Sequence, residues 1–196
     1  MQRLTVVLAS TRPGRTGPVI SDWFLELARD HPGFDVHLVD LAELGLPLLD
    51  EPDHPIRGRY RHDHTRRWSA IVDASDAFVL VTPEYNYGIP AALKNAVDYL
   101  YWEWAYKPVG FVSYGMSSAG QNAVAMLRQV LTPLRMTPVA PGVAVPLREL
   151  VDEQGALHPT DAMSSVADAM LAELARQAAA LAGLRETDSV PDTVAG

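Results

Sequence analysis

The chain has 196 residues, 48% of them apolar, enough for one domain to bury a full core unaided. It contains no cysteine, which excludes disulfides, thiolate chemistry and cysteine-ligated metals and fits a reducing, cytoplasmic setting. The net charge of −8 argues against nucleic acid as a partner, and no signal-peptide pattern or membrane-length apolar run is visible, so no membrane association is expected.

The elements follow one another in a regular rhythm. Residues 3–9 (RLTVVLA) predict a buried strand, followed by the loop STRPGRTGP. Apolar residues spaced by three and four predict a helix from Val19 to Arg29, ended by His31, Pro32 and Gly33. FDVHLVDL at 34–41 alternates as a second strand. The segment 42–63 is proline-rich and charged and predicts no regular element beyond a turn at LAELGLP. A helix is expected over 65–74, a third strand over 77–81 and a helix over 90–101, with Pro90 suited to its first turn. A fourth strand over 108–115, a helix over 119–134, a short fifth strand region over 137–145 and a long helix over 161–181 complete the series.

Five alternations of strand and helix predict an α/β fold, a doubly wound five-stranded parallel sheet with helices on both faces. The strands are continuous apolar runs, as strands covered on both sides must be. No internal repeat or linker appears, so residues 1–183 read as one domain and 184–196 as a polar, loose tail.

In such sheets ligands bind at the carboxyl ends of the strands, where strand order reverses. Three loops leave those ends with unusual chemistry. The first, STRPGRTG at 10–17, opens a helix whose N–H groups and dipole suit phosphate. Ser10 and Thr16 add hydroxyls, Arg12 and Arg15 add charged donors, and Gly14 and Gly17 permit a tight turn. The loop matches neither the dinucleotide nor the nucleoside-triphosphate glycine pattern, and it reads equally as a capped loop with two solvated arginines. The second, TPEYNYG at 82–88, offers Pro83, Glu84, Tyr85, Asn86 and Tyr87. Flat amphipathic rings beside polar groups suit a planar heteroaromatic ligand, although the tyrosines could instead pack on the next helix. The third, SYGMSSAG at 113–120, is built of small residues, including Ser113, Gly115 and Ser117, that let a ring approach the backbone. Together they suggest a mononucleotide with a large flat head, for which flavin mononucleotide (FMN) is the best fit.

The stretch TPEYNYGIPAALKNAVDYL resembles the hallmark of the NAD(P)H-dependent FMN reductase family, which includes quinone, azo-dye and chromate reductases. LASTRPGRTGP resembles its phosphate loop, and FVSYGMSSAGQNAVAMLRQVL its third flavin loop and following helix. The resemblance runs over about residues 3–145. It implies a flavodoxin-like fold, tightly bound FMN and a homodimer with flavin near the interface, some members pairing dimers into tetramers. It places Ser10, Arg12, Thr16, Gly17 and Val19 at the phosphate. Pro83, Glu84, Tyr85 and Asn86 fall along the ring, and Ser113, Gly115 and Ser117 beside the ring or ribityl chain. Where members often carry Gly-Gly and a basic residue, this chain has Ala119, Gly120, Gln121 and Asn122.

The implied reaction is ping-pong transfer from NADPH or NADH to the flavin, then to a small-molecule acceptor such as a quinone, dye or free flavin. No side-chain acid or base is required. Two other classes stand beside it: an acidic flavodoxin-like carrier that docks a protein, and a non-redox module for another phosphorylated ligand. Elsewhere, His54, His62 and His64 do not match a standard metal spacing, since residues two apart on a strand point to opposite faces. Arg57, Arg59, Arg61, Arg66 and Arg67 read as a solvated run, or as a landing site for NADPH phosphates. The aromatics Tyr99, Tyr101, Trp102, Trp104 and Tyr106 suggest a dimer contact.

Overall fold

The structure, a computed structural model, describes residues 1–187. Strands β1 (Gln2–Leu8), β2 (Phe34–Asp40), β3 (Ala77–Pro83) and β4 (Pro108–Gly115) run parallel in the order β2-β1-β3-β4. The fifth position is shared by two short strands, β5 (Thr137–Pro138) and β6 (Val143–Pro146), both parallel to β4. The single fifth strand expected over 137–145 is therefore broken. Pro138 and Pro141 have no N–H for the ladder, and the chain leaves the sheet after Val139 donates to the Val109 carbonyl at 2.9 Å.

Helices α1 (Gly17–Asp30) and α7 (Asp161–Thr187) cover one face of the sheet. Helices α3 (Asp63–Asp73), α4 (Ala91–Asp98) and α5 (Gln121–Leu131) cover the other, and α2 (Leu41–Leu44) and α6 (Leu147–Leu150) are single turns. Strand alternation divides the core in two. Leu4, Val6 and Val79 meet Phe24 and Met170 on one side, while Val7, Phe78, Leu80 and Phe111 meet Trp68, Leu93 and Leu127 on the other. Burying a side chain such as Phe24 contributes about 1.5–3 kcal/mol, and truncating it to alanine would cost about 3–5 kcal/mol.

Several boundaries differ from expectation for identifiable reasons. Helix α4 stops at Asp98 rather than 101, because the Trp68 and Trp104 indoles take the Ala96 and Val97 carbonyls at 2.8 and 3.2 Å. Helix α5 gives way to a tighter turn at Thr132–Leu134, where Pro133 removes a donor. Helix α7 continues beyond 181 to Thr187, with Arg185 paired to Asp76 at 2.9 Å, so 184–187 are helical. Residues 188–196 of the expected tail lie outside the described residues.

The 42–63 segment contains α2 and one tight turn, Pro55–Arg57. It is held to α4 by Asn95, which accepts from the Leu49 N–H at 2.9 Å and donates to the Pro47 carbonyl at 2.7 Å. Tyr99 Oη donates to Asp50 Oδ1 at 3.0 Å. Tyr99 and Trp104 are thus buried in this chain's own core, not presented for dimer contact; Tyr101, Trp102 and Tyr106 are half-buried.

Candidate active site

The carboxyl ends of β1, β3 and β4 surround a cavity of about 240 Å³, at the point between β1 and β3 where strand order reverses. Arg12, Arg15, Thr16, Pro83, Glu84, Tyr85 and Gly115 all line it, so the three loops singled out in the sequence meet around one space.

The floor of the first loop is distinctive. Helix α1 begins without a side-chain cap, which leaves its first-turn N–H groups uncapped, and the Thr16 hydroxyl has no hydrogen-bond partner among the described residues. Ser10 Oγ and Tyr114 Oη are buried, and neither has a hydrogen-bond partner among the described residues. A Cβ built on Gly17 would lie 2.7 Å from both Leu8 Cδ1 and Tyr114 Oη and closer still to Ser10 Oγ. Only glycine fits there. The two hydroxyls thus converge on one point without a well-directed bond between them, and burial pushes the Tyr114 phenol up to about 12. Val19 stands 37% exposed in the first turn. Uncommitted hydroxyls, an open helix end and a glycine floor form a cradle that fits a phosphate.

The two arginines are not equivalent. Arg12 makes no hydrogen bond or ion pair with the described residues and is available to a ligand. Arg15, expected to be a second phosphate donor, is already held: its guanidinium forms a bidentate pair with Asp40 at the end of β2 and donates to the Ser10 carbonyl. Burial alone would raise the Asp40 carboxyl, but hydrogen bonds from Arg15 and the Ala42 N–H outweigh it and hold the group below its usual value. Arg15 leaves charge near the cavity while fixing the shape of the loop.

In the second loop, Tyr85 and Gly88 exchange backbone hydrogen bonds at 3.0 and 2.9 Å. Asn86 and Tyr87 form the tip, both with positive φ (50° and 64°), the geometry of a two-residue hairpin turn. Their N–H groups have no acceptor among the described residues. Both side chains are exposed and do not line the cavity itself; Tyr85 does.

Glu84 departs most from expectation. Its carboxylate does not point at a ring edge but caps α5, accepting from Ser118 Oγ at 2.6 Å, Asn122 N at 2.9 Å, Asn122 Nδ2 at 3.1 Å and Ala123 N at 3.3 Å. Burial would raise this carboxyl, yet these donors hold it below its usual value. The loop before α5 needs this external cap. Ala119 and Gly120 both have positive φ (50° and 85°), which turns the chain too sharply for an ordinary capping residue. The departure from Gly-Gly at this place thus puts a Cβ on a left-handed residue.

Of the third-loop candidates, Gly115 lines the cavity, Ser117 is exposed away from it, and Ser113 faces the opposite side of the sheet. Ser113 Oγ donates to the Ala119 carbonyl at 2.9 Å. Its neighbour Tyr114 lines the cavity instead, together with Met116 and Leu147, none of which was singled out from the sequence. Period-2 alternation along β4 would have assigned Tyr114, not Ser113, to the α1 face. Nothing local marks Leu147.

The other clusters have local explanations. His62 and His64 sit at the start of α3, not on a strand, so they do not diverge: their rings stack at 5.2 Å and 8°. His64 Nε2 lies 2.9 Å from Asp50 Oδ1. Among the arginines, Arg57 is near Asp53 at 3.8 Å, and Arg66 bonds Asp63 and the Tyr60 and Arg61 carbonyls.

The profile of the family described as NADPH-dependent FMN reductase matches residues 2–149. The chain is 38% identical over 161 residues to an NAD(P)H-dependent FMN reductase of Schizosaccharomyces pombe, covering 80% of this chain and 79% of that one. It is 34% identical over 183 residues to one of Saccharomyces cerevisiae, covering 84% and 95%. Among solved structures, the flavoenzyme NAD(P)H:(acceptor) oxidoreductase FerB from Paracoccus denitrificans superposes with a TM-score of 0.72 at 18% identity, over 92% of this chain and 98% of that one, a likeness of fold. With a flavodoxin-like sheet and a family match over three quarters of its length, the chain belongs to the NADPH-dependent FMN reductase family.

Proposed function

We propose that the protein is an FMN-dependent oxidoreductase that takes electrons from NADPH or NADH and passes them, by a ping-pong sequence, to a small acceptor such as a quinone, free flavin or azo dye. We place it in the cytoplasm as a homodimer. The convergence of the three loops on one cavity at the strand-order reversal carries this reading. FMN, when bound, supplies the hydride and electron chemistry.

The chain's own residues bind and orient. The open end of α1, Thr16, Arg12 and the Ser10 and Tyr114 hydroxyls hold the phosphate. The Asn86 and Tyr87 N–H groups are donors for the polar edge of the ring, where negative charge develops on reduction. Tyr85, Tyr87 and Met116, 38%, 74% and 56% exposed, form an apolar rim on which nicotinamide and acceptor can stack in turn. Glu84 is not a base in this scheme, because its oxygens already accept four hydrogen bonds.

The test is an absorbance spectrum of the purified protein before and after anaerobic NADPH. Flavin bands that bleach support the proposal. A flavin that stays oxidised would favour the carrier reading, which the net charge of −8 also suits. Failure to take up FMN at all would overturn both.

A further inference from the structure

A second cavity, of about 450 Å³, lies at the amino-terminal edge of the sheet, at the opposite end of the strands from the flavin site. Tyr60, Ser69, Trp102, Glu103, Lys107 and Arg185 are among its walls. Lys107, immediately before β4, is 4% exposed. Its Nζ donates to the Val72 and Asp73 carbonyls at 2.7 and 2.9 Å, in the last turn of α3. An ammonium has three N–H donors, and the third has no acceptor among the described residues. Nor does any described carboxylate pair with it. Two carboxylates stand on the wall: Asp73 makes no ion pair with Lys107, and Glu103 instead accepts from Ser69 Oγ at 2.6 Å, Tyr60 Oη at 3.0 Å and Tyr101 N at 3.3 Å. Arg185 is paired with Asp76 at 2.9 Å.

A buried cation with a donor to spare, beside a space large enough for a small molecule, is a site for an anion. We propose that this cavity is a second ligand site that takes a small monocarboxylate, its carboxylate paired with the Lys107 ammonium and its apolar body against Trp102. A monoanion is favoured over a dianion because Asp73, Asp76 and Glu103 set negative charge around Lys107, offset in part by Arg185, with the Arg135 guanidinium lying over the Trp102 and Tyr106 rings of the wall. Burial pushes the Lys107 ammonium down to about 8, and a bound carboxylate would raise it again.

Titration calorimetry of the full chain, saturated with FMN, with benzoate as the probe tests this. One site is expected at pH 7. Its affinity should fall about tenfold or more by pH 9.5, as the ammonium loses its proton. Binding should vanish in Lys107→Met and exceed that of inorganic phosphate. No saturable binding, no dependence on pH, tighter binding of phosphate, or binding that survives Lys107→Met would each overturn the proposal. Should that variant not fold, the wild type decides. Between pH 8 and 9 benzoate binding must be accompanied by proton uptake, read from the heat in two buffers of different ionisation enthalpy, and zero uptake overturns it.

Discussion

Glu84 caps helix α5 from the neighbouring loop, its Oε2 accepting a hydrogen bond from the Asn122 N–H at 2.9 Å. The same oxygen takes the Ser118 hydroxyl, so one side chain joins two walls of the candidate cavity. Glu84→Ala should therefore lower stability by about 1–2 kcal/mol, as for a lost helix cap. It should also weaken FMN binding about tenfold, because the Gly115–Met116 wall loses its register. Glu84→Gln should restore part of both, since an amide oxygen can still accept. Urea denaturation and quenching of FMN fluorescence measure the two effects. An alanine variant with unchanged FMN affinity would show that the two walls are independent.

Ser10 and Tyr114 make the opposite trade. Their buried hydroxyls have no well-directed hydrogen bond among the described residues, so Tyr114→Phe should leave the flavin-free protein as stable as before or slightly more so. FMN affinity should fall by about 1 kcal/mol, roughly fivefold, if the hydroxyl serves the phosphate. Ser10→Ala should behave alike. Comparing melting temperatures with and without FMN separates the two effects; a loss of stability without FMN, and no change in affinity, would assign the hydroxyls a purely structural part.

The Asp40 carboxylate holds loop 10–17 through Arg15, at side-chain exposures of 10% and 18%. Asp40→Asn should cost about 1–3 kcal/mol at pH 7, with the half-buried Arg15 left without its carboxylate. The sign of the pH effect follows from the folded Asp40 being more acidic than the unfolded one. Its contribution is complete above the unfolded value of about 3.9 and disappears as pH falls through the lower, folded value. The stability gap between wild type and variant should accordingly be constant from pH 7 to 5 and close in stronger acid. A gap that widens on acidification would contradict the pairing.

Ala119 sits at a φ of +50°, in the left-handed region that costs a residue with a Cβ about 1 kcal/mol. Ala119→Gly removes that strain but frees the unfolded chain, so a gain of up to about 1 kcal/mol is expected. Gly120→Ala should be far worse, because its Cβ would lie 2.6 Å from both Ser113 Cβ and Tyr114 N. Thermal unfolding of the two variants checks the order.

The alternation of apolar runs and amphipathic segments was enough to read the first four strands, the five long helices, the parallel sheet and the three loops at the strand ends, because hydrophobic period and chain order are local properties; it missed the break between β5 and β6 and the single-turn helices α2 and α6. The placement of loop 10–17 at a helix start was legible because a strand–glycine–helix junction exposes N–H groups whatever surrounds it. The same local chemistry could not say which polar groups are already engaged. Arg12 and Arg15 look alike in the sequence, yet Arg12 makes no hydrogen bond or ion pair among the described residues and Arg15 is bound to Asp40, 25 residues away along the chain. Glu84 looks like a ligand contact until α5 folds against it, 38 residues on.

What the sequence alone determined, then, is the fold class and the places where loops leave the sheet, since both follow from the period and order of apolar residues. The tertiary structure decided which side chains in those loops line the cavity. It gave Tyr114 and Leu147 to the cavity, turned Ser113 away, committed Glu84 and Arg15 to the scaffold and sealed Lys107 beneath the far edge of the sheet. The reason is that a hydrogen-bonding group serves whichever partner the fold brings within about 3 Å, and that distance is set by elements far apart in sequence.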